Sequence, residues 1–291
     1  MHGILNIHKP PRWTSRDVVN RINRFVRPAK VGHAGTLDPL ATGVLICCVG
    51  SGTRLIEYLQ QMPKRYVGQF ELGKTSDTED LEGVVTEIVD APQISAAQLT
   101  AILPEFVGEI LQRPSSFSAI KVDGKRAYKL ARQGAAVELA PREINIYEIT
   151  LRSFEYPRFE IDVLCGAGAY MRALGRDIGE RLDSGAVMTG LERTAIGDFR
   201  LEDALPLDDL STESVAANLS PLASAVSQMP QITLTADEVN EMIYARGIRA
   251  SMESPAVEVA ALDQQGRLIA ILTRREDQRW KPVKNFALTL E

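Results

Sequence analysis

The sequence predicts an α+β chain with short connections and a small, mostly β module at its C-terminal end. Three observations predict it. Apolar residues recur at helical spacing in some stretches and alternate in others, and Gly and Pro punctuate the chain at short intervals. Beyond Leu205 the composition shifts to Ser, Asp, Ala and Pro before strand-like runs resume near the end. There is no internal repeat or low-complexity tract. With 291 residues, 45% hydrophobic and 24% charged, the chain can bury a full core in one large domain plus a small one.

Residues 3–8 read as a short strand, ended by Lys9-Pro10-Pro11. Thr14 and Ser15 then offer N-caps for a helix with Val18, Val19, Ile22 and Phe25 on one face and Arg16, Arg21 and Arg24 on the other. Residues 43–49 form a fully buried strand, after which Gly50-Ser51-Gly52 turns into a helix bearing Leu55, Ile56 and Leu59. Strand, glycine and helix invite a phosphate-loop reading, but the Gly-Lys-Ser/Thr end of a Walker loop is missing. Alternation over residues 65–72 puts Tyr66, Gly68, Phe70 and Leu72 on one face and turns Tyr66 inward. Runs 144–154 and 159–165 flank Tyr156-Pro157 as a hairpin would. Gly166-Ala167-Gly168 leads into a helix in which Tyr170, Leu174, Ile178 and Leu182 share a stripe, with Arg172 and Arg176 off it. A boundary near Met229 divides the chain into domains 1–228 and 229–291. The second holds a helix over 235–245 stopped at Gly247 and strands at 257–262 and 267–272 joined by a Gln-Gln-Gly turn. It ends on a basic group, Arg274, Arg275, Arg279 and Lys281 around Trp280.

Composition narrows the chemistry. The longest apolar run, 43–49, is far short of a membrane span, and the N-terminus lacks the apolar region of a signal peptide, so a cytoplasmic location without membrane contact is expected. Three cysteines, two adjacent inside a strand, give neither a disulfide framework nor zinc-ligand spacing and read as buried, reduced thiols. With only His2, His8 and His33, neither a metal site nor a Ser-His-Asp triad is expected, which leaves carboxylates to carry the chemistry. The net charge of -5 argues against a nucleic-acid partner until its distribution is read. From Met1 to Asp38, Lys9, Arg12, Arg16, Arg21, Arg24, Arg27 and Lys30 face only Asp17 and Asp38, a local excess of five positive charges. Lys121, Lys125, Arg126, Lys129 and Arg132 make a second cluster interrupted only by Asp123, while acid concentrates from Asp77 to Asp90 and at Glu202, Asp203, Asp208 and Asp209.

The most informative segment is Gly32-His33-Ala34-Gly35-Thr36-Leu37-Asp38-Pro39-Leu40-Ala41-Thr42-Gly43, a loop running into the buried strand. The residues alone leave two readings open. Asp38 and His33 are functional groups on a rigidly anchored loop, or Asp38 is an N-cap with Pro39 at the first helical position and His33 is a satisfied loop histidine.

That segment resembles the catalytic motif of the TruB-type bacterial tRNA pseudouridine synthases. Other stretches match the same family in order: Asn6-Ile7-His8-Lys9-Pro10 with Thr14-Ser15, Lys64-Arg65-Tyr66, residues 78–83 and 114–134, Gly168-Ala169-Tyr170-Met171-Arg172, and Leu191-Glu192-Arg193. A weaker resemblance to an RNA-binding PUA module covers residues 230–285.

The resemblance implies a pseudouridine synthase core, a mixed, largely antiparallel sheet flanked by helices. It implies isomerisation of uridine 55 in the tRNA T loop, by cleaving the N-glycosidic bond, turning the uracil and rejoining it to ribose through carbon. It further implies no cofactor and the tRNA T arm as partner; no metal is expected, no protein partner is implied, and a monomer is expected. Asp38 becomes the catalytic carboxylate. With an ordinary pKa of about 3.9 it is ionised at neutral pH and needs no activating base. Arg172 would pair with it and hold it charged against the effect of burial. Base chemistry requires the target nucleotide to leave its stack. His33 would stack in the vacated space, Tyr66 on the uracil, where it would also take a proton from carbon; Tyr170 and Leu191 would wall the pocket, and Lys9 would support the site or contact the RNA backbone. Phe117 departs from the tyrosine often found in that motif, which removes any hydroxyl role there. Two further readings stand beside this one: a noncatalytic RNA-binding protein with a structural Asp38, and a synthase acting on another RNA. A nucleotide-dependent enzyme fits least.

Overall fold

The computed structural model describes residues 1–118, 120–122, 124–127, 130, 133, 139–249, 256–275 and 279–289. Asp123, Lys129 and Arg132 of the central basic cluster lie outside the described residues. The chain forms two compact units. The first comprises Met1–Pro39, Gly43–Met62 and Gly197–Glu291; the second comprises Leu40–Thr42 and Pro63–Ile196.

The first unit begins with β1 (Gly3–Lys9), α1 (Ser15–Val26), β2 (Val31–His33) and β3 (Thr42–Val49). β1 runs antiparallel to β3 from Gly3 opposite Val49 to Lys9 opposite Gly43, and β2 pairs with β3 through Val31 to His33. Residues 44–49 are wholly buried, as the apolar run predicts. α1 starts where Thr14 and Asp17 form a reciprocal capping box. Its buried face is Val18, Val19, Ile22 and Val26. Phe25, expected on that face, is only half-buried, and the Arg21 guanidinium lies 5.5 Å from its ring centroid. After Val49 the chain makes a 3-10 turn over Gly50–Leu55 before the short α2 (Ile56–Gln61), so the helix expected at Gly50 opens in tighter winding.

The second unit is built on β4 (Lys64–Leu72), followed by the small hairpin β5 (Lys74–Ser76) and β6 (Val85–Glu87), α3 (Ala96–Ile102), β7 (Gly108–Gln112) and the two-residue strands β8 (Lys121–Val122) and β9 (Lys125–Arg126). The long hairpin β10 (Arg142–Glu155) and β11 (Arg158–Cys165) turns at Tyr156-Pro157 as expected, and leads to α4 (Met171–Arg181) and β12 (Ala186–Ile196). The main sheet runs β12-β4-β11-β10-β7, antiparallel at every step. Phe70 and Phe159 stack across β4 and β11 with centroids 5.2 Å apart. α4 lies close against this sheet because residue 175 is glycine: a Cβ there would sit 2.3 Å from the Phe70 ring.

The chain then returns to the first unit through β13 (Phe199–Arg200), β14 (Leu205–Pro206) and α5 (Thr212–Asn218). β14 adds to β1 in parallel, Ile7 opposite Leu205, which makes this sheet mixed. Four more strands form a separate sheet in the order β15 (Gln231–Thr233), β16 (Glu258–Leu262), β17 (Leu268–Arg274) and β18 (Trp280–Asn285), with α6 (Ala236–Ile243) capped by Thr235. Trp280 is 1% exposed and packs with Leu234, Met242, Val259 and Leu272, so it belongs to the core of this sheet while Arg274, Arg275, Arg279 and Lys281 remain exposed. Architecture of both units is α+β, as predicted.

Candidate active site

Asp38 does not cap a helix. Residues 34–41 carry no helix or strand, and Asp38 sits half-buried between two residues whose backbones are tied down. On one side the Ser15 hydroxyl, 2% exposed at the first turn of α1, accepts from the Leu37 amide at 2.9 Å and donates to the Leu37 carbonyl at 3.3 Å. On the other side the Pro39 carbonyl accepts from the Arg12 amide at 2.7 Å and from the Lys9 ammonium at 3.3 Å. Upstream, the Ala34 amide donates to the Ile46 carbonyl at 2.9 Å. Gly35 takes a φ of 97°, a left-handed conformation that a residue with a Cβ rarely adopts, and so turns the chain out of β2. A side chain flanked by fixed backbone on both sides loses little freedom on meeting a substrate, the kind of preorganisation a nucleophile needs.

Lys9 is fully buried, and its ammonium also donates to the carbonyls of Pro10 at 3.0 Å and Trp13 at 2.7 Å. The structure thus sets Lys9 on the backbone of the Asp38 loop and the turn before α1. His33 ends β2 opposite Cys47 and is half-buried.

In the second unit Tyr66 points inward from β4, 9% exposed, between Val163 on β11 and Arg193 on β12. The Arg193 guanidinium is 6.0 Å from its ring centroid. Leu191 lies on β12 opposite Gly68, half-buried in a stretch with two register shifts. Tyr170 is the N-cap of α4 and not part of its stripe; its amide donates to Gln112 Oε1 at 2.9 Å while Gln112 Nε2 donates to its carbonyl at 3.2 Å. Arg142 stands 5.1 Å from its ring centroid. Arg172 is 6% exposed. Its Nη1 lies 3.5 Å from Asp80 Oδ2 and donates to the Thr78 carbonyl at 3.1 Å, and its Nη2 donates to the Phe117 carbonyl at 3.4 Å. Because residue 117 meets Arg172 through its carbonyl, the phenylalanine there leaves that contact intact.

One turn further along α4, Arg176 pairs with Glu79 and Asp177. Burial raises both carboxyls above their ordinary range, and the Arg176 charge opposes that rise. Burial also pushes the Lys64 ammonium down to about 8, with the Arg193 charge acting in the same direction. Among the described residues no group of three His, Cys, Asp or Glu is placed to hold a metal ion, and no helix is long and apolar enough to cross a membrane.

The profile of the TruB family pseudouridylate synthases, N-terminal domain, matches residues 23–171. The matched segment runs through Asp38, Tyr66 and Tyr170. The chain belongs to the TruB family of pseudouridylate synthases. Full-length similarity agrees. The "tRNA pseudouridine synthase B" of Dehalococcoides mccartyi is 39% identical over 290 residues, covering 98% of this chain and 97% of that protein. The protein of the same name from Mycobacterium tuberculosis is 41% identical over 289 residues, covering 97% and 94%. Among solved structures, one titled "Structure of H/ACA RNP bound to a substrate RNA containing 2'-deoxyuridine" superposes with a TM-score of 0.75 at 23% identity, over 98% of this chain and 84% of that one. At that identity the likeness concerns the fold. This TruB-family chain is therefore an isomerase built on the pseudouridine synthase core.

Three residues that sequence reasoning did not single out in this role hold groups beside the named positions, each within its own unit. Gln112 clamps both backbone polar groups of Tyr170. Asp80, 2% exposed, pairs with Arg172 and accepts from the Thr78 hydroxyl and the Glu82 amide. Ser15 fixes Leu37. Asp80 and Ser15 stand inside matched stretches, so a signal was present; Gln112 lies in an unremarkable strand and gave none.

Proposed function

We propose that this synthase converts uridine 55 in the T loop of tRNA to pseudouridine, with Asp38 as the catalytic carboxylate and a flipped-out target base. The observation that carries this reading is the held Asp38 loop, whose backbone is fixed at Leu37 by Ser15 and at Pro39 by Lys9 and Arg12, with Asp38 inside the range the family profile matches. The names of the full-length relatives support tRNA as the substrate.

In the reaction the bond from ribose C1′ to uracil N1 breaks, a bond from C1′ to uracil C5 forms, N1 gains a proton and C5 loses one. No atom is gained or lost, so no cofactor is required. Asp38 supplies the negative charge that drives glycosidic cleavage, and Arg172 holds that carboxylate ionised. Tyr66 stacks on the uracil and takes the C5 proton. His33 occupies the space the nucleotide leaves, while Tyr170 and Leu191 bound the pocket. Lys9 keeps the Asp38 loop in place. Residues 229–291, with a core of their own around Trp280, act as a PUA-like RNA-binding domain, and the enzyme works as a monomer on the T arm.

The test is incubation of the purified protein with an unmodified tRNA transcript, without metal or nucleotide, followed by carbodiimide labelling and primer extension, with Asp38→Asn in parallel. A stop at the T-loop uridine with wild type alone is expected. Equal stops from both proteins would move catalysis to another carboxylate, and a stop only on ribosomal RNA would move the substrate.

A further inference from the structure

Five arginines, Arg12, Arg16, Arg21, Arg24 and Arg27, lie on or beside α1, and among the described residues none of them enters an ion pair. Elsewhere Arg65, Arg152, Arg172, Arg176, Arg181, Arg246 and Arg267 each meet a carboxylate within 4.0 Å. In a protein of net charge -5, this face concentrates positive charge against the sign of the whole chain. The one acid on the face, Asp17, is turned to the helix start, where it accepts from the Thr14 amide at 3.1 Å and from the Thr14 hydroxyl.

The face has shape as well as charge. Arg16, Asn20 and Arg24 follow i, i+4, i+8 spacing and are exposed, so they form a row about 12 Å long. Arg12, Trp13, Asp17, Asn20, Arg21 and Arg24 line a groove of about 400 Å³. Trp13 is 37% exposed at one end of it, a large flat ring open to solvent. That end is joined to the Asp38 loop by three hydrogen bonds already described: the Arg12 amide to the Pro39 carbonyl, and those of the Lys9 ammonium, which bridges the Trp13 and Pro39 carbonyls.

We propose that this face of α1 is a second RNA-binding surface, which takes the phosphate backbone of the substrate outside the isomerised nucleotide and stacks one unpaired base on Trp13. Arginine is suited to phosphate because its planar fork donates two parallel hydrogen bonds, and an aromatic ring stacks on any base without reading its identity. The surface thus adds affinity and register but no sequence preference. The inference rests on RNA being the substrate and goes beyond the site chemistry, since none of these side chains has a role in isomerisation.

The test compares wild type, the triple variant Arg16→Gln/Arg24→Gln/Arg27→Gln and Trp13→Ala for binding of fluorescein-labelled tRNA by anisotropy over a range of KCl, and for kcat and KM in pseudouridine formation. All substituted side chains are exposed and the Thr14–Asp17 capping box is untouched; circular dichroism verifies the fold. The triple variant is expected to weaken binding about tenfold or more near 0.1 M salt and to lower the slope of log K against log salt by about 2 to 3, the effect falling on KM. Trp13→Ala is expected to weaken binding by about fivefold or more with the slope unchanged, because stacking releases no counterions. Wild-type affinity and slope in the triple variant would overturn the inference whatever the turnover result. If wild type binds with the α1-dependent slope but forms no pseudouridine, the functional reading falls and the RNA surface stands.

Discussion

Nη1 of Arg172 stands 3.5 Å from Oδ2 of Asp80, and both side chains are almost wholly buried. A buried pair of this kind adds little stability as a whole, but removing the Asp80 carboxylate takes away a charge that faces Arg172 in a poorly solvated place. Asp80→Ala is therefore expected to lower the unfolding free energy by about 3 kcal/mol or more, read by urea unfolding. Asp80→Asn retains an acceptor for the Thr78 hydroxyl and the Glu82 amide and is expected to cost less. Equal losses would show that the charge facing Arg172, and not the hydrogen bonds within residues 78–82, is what matters.

Ser15 makes a different prediction. Ser15→Ala removes a donor and an acceptor from the buried backbone of Leu37, at about 1 to 3 kcal/mol of stability. Its larger effect should be on turnover, because Leu37 adjoins Asp38. We expect kcat to fall at least tenfold with tRNA affinity unchanged, and Ser15→Thr, which keeps the hydroxyl, to recover part of it. A fall in affinity alone would assign Ser15 to RNA binding.

Lys64 carries a pH dependence with a definite sign. Its folded pKa of about 8 lies below the ordinary 10.5, so between these values the unfolded chain holds the extra proton and stability rises with pH. Cys48 and Cys165, held up to about 12 from 9.0, act in the opposite direction above pH 9, where unfolded thiols ionise first. Comparison with Lys64→Met isolates the lysine. The unfolding free energy of wild type relative to that variant should climb by up to ~3 kcal/mol between pH 8 and 10.5. A difference that stays flat over this range would remove the case for a depressed Lys64.

The thiols also predict a chemical outcome. Cys47, Cys48 and Cys165 are buried thiols outside any disulfide. Burial opposes thiolate formation at Cys48 and Cys165, so a disulfide reagent at pH 8 should label less than one thiol per native chain and all three in guanidinium. Rapid labelling of the native protein would contradict this burial.

Much of the molecule was legible in its sequence where the signal is local. The Thr14 cap, the buried strand at 43–49, the inward Tyr66 and the hairpin at Tyr156-Pro157 all follow from spacing within a few residues, and each is observed. β12 was not read because its burial does not alternate. Gly190, Leu191 and Glu192 are half-buried among irregular pairings, and Arg193 is buried outright, so no period of two is present. Arg172 was placed off the apolar stripe of its helix, yet it is buried, because what accommodates it, Asp80 and two carbonyls, comes from distant segments. The residues that carry the family motif could be named from the sequence; those that hold them still could be found only in three dimensions.

The parallel pairing of β1 with β14 has a consequence for synthesis. β1 and β3 emerge first from the ribosome, but Leu205 must follow before Ile7 gains its partner on the other edge, and Ser220 before it exchanges backbone hydrogen bonds with Ile4. At usual elongation rates that leaves the strand next to the Asp38 loop open along one side for roughly 10–30 s. An edge exposed for that long is where a nascent chain is most vulnerable to pairing with a neighbour. Slower translation of the middle of this gene should therefore reduce soluble yield more than slower translation of its end.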